Sequence, residues 1–167
     1  MPKRYIAPLE GGRVRLRLLE ESDLPMTRAW RNQDHIRRWF IHSEIITPEQ
    51  HRRWYASYLP RDDDFLFVIE ELQSSGRPVG QVSLYNIDWT SGRAEFGRLL
   101  IGESTAARGL AREATELLLD YAFTRCALRE VELEVFAANQ AAVGLYHSCG
   151  FRDVEERGDL LKMLKTR

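Results

Sequence analysis

Between Arg93 and Phe151 the hydrophobic period of the chain switches repeatedly, which restricts what it can build. "RAEFGRLLIG" (Arg93 to Gly102) reads as a strand following the "TSG" turn. In the stretch Ser104 to Phe123 the apolar residues Leu110, Ala114, Leu117, Leu118, Tyr121 and Ala122 recur three and four apart. "EVELEVF" (Glu130 to Phe136) alternates with period two, and "NQAAVGLYHSCGF" (Asn139 to Phe151) reads as a helix that Gly150 stops. Period two marks a strand with one buried face, and a three-to-four spacing marks a helix packed on one side. Upstream, "RVRLRLL" from Arg13, "FLFVIEEL" from Phe65 and "VGQVSLYNI" from Val79 read as strands. The last two are split by a turn holding Gly76 and Pro78. Two short strands near Arg152–Glu156 and Leu160–Leu164 complete seven. Helices that interrupt a strand-rich chain in this way imply an α/β fold with a mixed sheet covered on both faces.

Two more helices precede the hairpin. In "ESDLPMTRAWRN", Ser22 or Asp23 is placed to cap and Pro25 falls in the first turn. In "ITPEQHRRWYASYL", Thr47, Pro48 and Gln50 form a capping-box signature. No repeat or low-complexity linker divides the 167 residues, so a single domain over 1–167 is expected.

Charge narrows the function. Lys plus Arg (24) nearly cancel Asp plus Glu (25), so there is no broad basic field for nucleic acid or an anionic membrane. The N-terminus lacks the apolar core of a secretory signal, and no apolar run is long enough for a membrane span. Cys126 and Cys149 have no metal-type spacing and are expected as reduced thiols, with no metal bound. A cytoplasmic protein is expected.

The turn "STAARGLAREA" carries the sharpest chemistry. A helix N-terminus exposes unpaired N–H groups and about half a positive charge. Gly109 and Ala111 would let an anion reach that backbone, and Arg108 and Arg112 offer guanidinium forks to phosphate oxygens. Small residues before a helix also serve close packing, and surface arginines are often only solvated. The stretch has too few glycines for a dinucleotide fingerprint, and no Gly-Lys-Ser/Thr makes it an NTP loop.

"RLLIGESTAARGLAREA", followed after a helix and a strand by "NQAAVGLYHSCGF", resembles the GNAT family of acyl-CoA-dependent N-acetyltransferases. The family loop Gln/Arg-x-x-Gly-x-Gly/Ala has its counterpart in Ala106-Ala107-Arg108-Gly109-Leu110-Ala111, with Ala106 departing from the usual first residue. The second block, Asn-x-x-Ala-x-x-x-Tyr-x-x-x-Gly-Phe, is complete as Asn139, Ala142, Tyr146, Gly150 and Phe151. The resemblance spans roughly Val14 to Leu164 and implies the GNAT fold: a mixed, mostly antiparallel, twisted sheet of about seven strands with helices on both faces.

It also implies acetyl-CoA as co-substrate and transfer of acetyl to a primary amine by direct attack through a tetrahedral intermediate. The backbone of Leu99, Leu100 and Ile101 would pair with pantetheine. Arg108, Gly109, Leu110, Ala111 and Arg112 would hold the pyrophosphate, and Asn139 would contact the cofactor from the other side. Tyr146 would be the general acid. Glu95 is the candidate base, although it reads equally well as an outward charge between Arg93 and Arg98.

The segment "WRN…IRRWF…SEIITPEQH" looks like the GNAT enzymes that acetylate nucleotide-linked amino sugars, notably those of pseudaminic acid biosynthesis. By that resemblance Arg31 and His51 would contact a sugar nucleotide and Asn32 would fix the loop. Core packing is the alternative for Trp30 and Trp54, and His51 reads also as a surface residue. Ribosomal-protein-type and aminoglycoside acetyltransferases remain alternatives, as does an acyl-CoA-binding sensor without turnover. The sequence leaves the oligomeric state open, a homodimer included.

Overall fold

The structure, a computed structural model, describes residues 2–167. One eight-stranded sheet runs in the order β1-β2-β3-β4-β5-β6-β8-β7. Its strands are β1 (Leu9–Glu10), β2 (Val14–Leu18), β3 (Asp64–Glu71), β4 (Arg77–Asp88), β5 (Arg93–Ile101), β6 (Glu130–Phe136), β7 (Arg152–Arg157) and β8 (Leu160–Thr166). The helices are α1 (Leu24–Arg31), α2 (Asp34–Arg37), α3 (Pro48–Tyr58), α4 (Leu110–Asp120) and α5 (Gln140–Ser148). The sequence reading of about seven strands misses β1, a two-residue strand too short to show a period, and α2, a single helical turn.

β3 is buried along its whole length, which explains its nearly unbroken apolar run. Its side chains alternate between two cores. Phe65, Phe67 and Ile69 join Leu110, Ala114 and Leu118 of α4, whereas Leu66 and Val68 meet Leu24 of α1 and Tyr55 and Tyr58 of α3. The sheet is therefore covered on both faces, and the α1–α3 layer lies opposite the α4 layer.

The helix starts follow local chemistry. Thr47 Oγ1 accepts from the Gln50 N–H at 3.2 Å and the Gln50 side chain answers the Thr47 N–H at 2.9 Å. Asp23 precedes α1 but does not cap it. Its carboxylate accepts the Glu20 N–H at 2.8 Å and pairs with Arg17 at 2.8 Å instead. Every strand pair is antiparallel except β5 with β6, which are parallel and joined by the α4 crossover. No helix among the described residues is long and apolar enough to cross a membrane. Cys126 and Cys149 are free thiols.

Candidate active site

The parallel pair does not stay together. Arg93 pairs with Glu130, Ala94 with Val131 and Glu95 with Glu132, and the pairing goes no further, although β5 runs on to Ile101 and β6 to Phe136. The two strands splay into a slot whose walls carry unpaired backbone groups. Such groups seek a partner.

On its other edge β5 is pinned by a bulge. Gln81 faces Leu100 and Ser83 faces Gly97, so Arg98 and Leu99 together oppose Val82. Arg98 takes a left-handed φ of 53°. That conformation costs a non-glycine residue about 1–2 kcal/mol. Two hydrogen bonds from its guanidinium to the Asp64 carboxylate, at 2.7 and 3.1 Å, hold it there. The bulge puts Gly97 and Arg98 on the α3 side in succession. It also resets the phase, so that Leu100 packs with Trp30 while Leu99 and Ile101 pack against the α4-side core.

The chain leaving β5 enters α4 through Gly109, whose φ of 83° is one that L side chains rarely adopt. No side chain caps α4, which leaves its mouth open to an anion. Two long-range contacts that sequence reasoning missed shape this turn. Arg13 donates from Nη1 to the Arg108 carbonyl at 3.0 Å and pairs through Nε with Glu113 at 2.9 Å. Buried Glu71 accepts the Ala107 N–H at 2.9 Å, and that hydrogen bond is the main reason its carboxyl lies below the usual range. The only sequence trace of either is a charge at the end of a strand. Arg108 is exposed at the turn, whereas Arg112 pairs with Glu116 at 2.9 Å along the helix surface. An open helix mouth, a turn requiring glycine and a splayed slot fit the pyrophosphate and pantetheine arm of a coenzyme A thioester.

Tyr146 approaches the slot from the α5 side. It is 8% exposed, with its ring edge-on to Phe96 and Phe151, each at 5.8 Å. Burial pushes its phenol well above the ordinary value. Glu95 precedes Phe96 on β5, so its carboxylate faces the α1–α3 side, where Asn86 Nδ2 donates to it at 3.1 Å. The two residues thus flank the slot from opposite faces of the sheet. Asn139 caps α5, its Oδ1 accepting the Ala142 N–H at 3.3 Å.

The α1–α3 layer places the remaining candidates. Asn32 is bonded both ways to the Ile46 backbone, accepting its N–H at 2.8 Å and donating to its carbonyl at 2.9 Å, which ties the α2–α3 loop to α1. Arg31 is 9% exposed, lies 3.9 Å over the Phe40 ring and donates from Nη2 to the His42 carbonyl, while its buried Nη1 has no partner. His51 stacks on Trp54 at 5.7 Å, and its buried Nδ1 also has no partner. Trp30 is buried, as packing requires, and Trp54 partly so.

The family model of the acetyltransferase (GNAT) domain matches residues 13–152, and the chain belongs to that family. It is 30% identical to the spermidine N(1)-acetyltransferase of Vibrio cholerae over 84% of this chain and 79% of that protein. The Escherichia coli K12 enzyme of the same name is 29% identical over 83% of this chain and 72% of its own. The crystal structure of the V. cholerae spermidine N-acetyltransferase in complex with CoA and spermine superposes with a TM-score of 0.82 at 26% identity, covering 93% of this chain and 96% of that one. The protein is an acetyl-CoA-dependent N-acetyltransferase that acts on an amine. These matches carry the fold, the co-substrate and a small amine acceptor. The resemblance to pseudaminic acid pathway enzymes finds no support in them.

Proposed function

We propose that the acceptor is a primary amine whose own molecule carries negative charge, as in a nucleotide-linked amino sugar. The observation that carries this reading is Arg31, buried with Nη1 unpaired in the layer over the acceptor side of the sheet. A buried N–H left without a partner costs about 1–3 kcal/mol, so this one favours an oxygen acceptor, which a phosphate of the acceptor molecule would supply. From 27 to 54, Arg28, Arg31, Arg37, Arg38, Arg52 and Arg53 outnumber Asp34, Glu44 and Glu49. A polycation approaching that layer meets like charge, and a phosphate meets complementary charge. Spermidine is the second reading, favoured by the relatives' established acceptor.

In either reading acetyl-CoA supplies an activated acetyl thioester. Glu95 takes the proton that the acceptor ammonium must lose, and Tyr146, kept protonated by burial, gives one to the departing thiolate. The slot-facing backbone of β5 donates to the thioester oxygen, an interaction worth about 3–4 kcal/mol per donor as charge develops. Arg31→Lys tests the acceptor reading. Lysine keeps the charge but loses the fork, so the acceptor KM should rise more than tenfold with the acetyl-CoA KM unchanged; equal acceptor KM values would refute it.

A further inference from the structure

We propose that Tyr85 is a catalytic residue, relaying the proton from the acceptor ammonium to Glu95. The inference rests on the reading of Glu95 as the base. Tyr85 on β4 stands directly across from Glu95 on β5, so their side chains share the α3-side face where the slot opens. Gly97 is what lets the phenol lie there. A Cβ at that position would fall 2.9 Å from Tyr85 Oη and 3.1 Å from Cε1, so any side chain there would push the phenol aside.

The ring is held from behind. The Arg98 guanidinium lies 4.3 Å over it, fixed by Asp64 and by Ser83 Oγ at 3.3 Å. The other end of the relay is held too, by the bond from Asn86 to Glu95 Oε1.

The step balances without a co-reactant. The ammonium N–H bond breaks as an Oη–H bond forms on Tyr85. The proton Tyr85 already carried passes to the Glu95 carboxylate, and the amine is left neutral with its lone pair free. Burial, and after it the Glu95 charge, push the Tyr85 phenol up to about 12, so it enters each cycle protonated.

The test compares wild type, Tyr85→Phe, Glu95→Gln and the double variant. Thiol release is followed against pH with spermidine and with a UDP-linked 4-amino sugar, and acetyl-CoA binding is checked by calorimetry. The relay predicts about a 100-fold loss of kcat at pH 7 in each single variant, with acetyl-CoA binding intact. The double variant should be no slower than Glu95→Gln, and the rate should recover toward pH 10 as the amine deprotonates unaided. A wild-type rate and pH profile in Tyr85→Phe overturns the relay, as does a double variant in which the two losses multiply. Which acceptor the wild type prefers reports on the proposed function alone.

Discussion

The indole of Trp30 lies so tightly on Gly102 that a Cβ there would fall 2.1 Å from its Cγ. The same indole donates from Nε1 to Glu103 at 2.9 Å, and Gln33 donates to the Gly102 carbonyl at 3.1 Å. Helix α1, which carries Arg31, is thereby docked on the segment that leads from β5 into the α4 turn. The proposed acceptor side and the proposed cofactor side therefore share one joint.

Gly102→Ala therefore has nowhere to put its methyl group. The indole must move, which costs about 1–3 kcal/mol of overpacking and loosens α1. Urea denaturation should show that loss together with a raised acceptor KM. An unchanged midpoint would contradict the joint.

Gly109→Val asks a β-branched residue to hold a left-handed φ with the Arg13 Nη2 3.0 Å from its Cβ. Strain of about 1–2 kcal/mol should move the turn and raise the acetyl-CoA Kd roughly tenfold. Calorimetry reads this directly, and wild-type affinity would show that the turn does not hold the pyrophosphate.

His51 gives a pH signature. Burial, reinforced by Arg28, lowers its pKa from the ordinary 6.5, so the unfolded chain takes up a proton before the folded one does. Stability should therefore fall as pH drops from 6.5 toward the folded pKa and then stop falling on that account. Urea midpoints at pH 7 and pH 5 should differ less for His51→Gln than for the wild type; equal differences would remove His51 as a source.

Much of this was legible in the sequence, and the reason is local. The α4 turn and helix α5 are set by backbone conformation, which neighbouring residues dictate, so the turn at Gly109 and the helix carrying Tyr146 were readable locally, while a role for Tyr146 came only with the family resemblance. Thr47 and Gln50 signal their helix for the same reason. The bulge at Arg98, the hold of Arg13 on Arg108 and the bond from Ala107 to Glu71 depend on partners 34 to 95 residues away, and alternation along one strand carries no trace of them. A second irregularity, between Tyr85 and Asp88, shifts the register counted from the hairpin turn, and it hid the pairing of Glu95 with Tyr85.

Tyr146→Phe removes the proposed proton donor and keeps the ring packed against Phe96 and Phe151. kcat should fall about 10²–10⁴-fold with acetyl-CoA binding intact. A wild-type rate would take Tyr146 out of the reaction.

The most direct measurement is thiol release from acetyl-CoA by the purified wild-type protein, offered a UDP-linked 4-amino sugar, spermidine, a peptide with a free N-terminus and an aminoglycoside. A kcat/KM for the amino sugar at least tenfold above that for spermidine is the predicted result. A preference for spermidine would contradict the anionic acceptor and leave the enzyme acting on the polyamine its relatives acetylate.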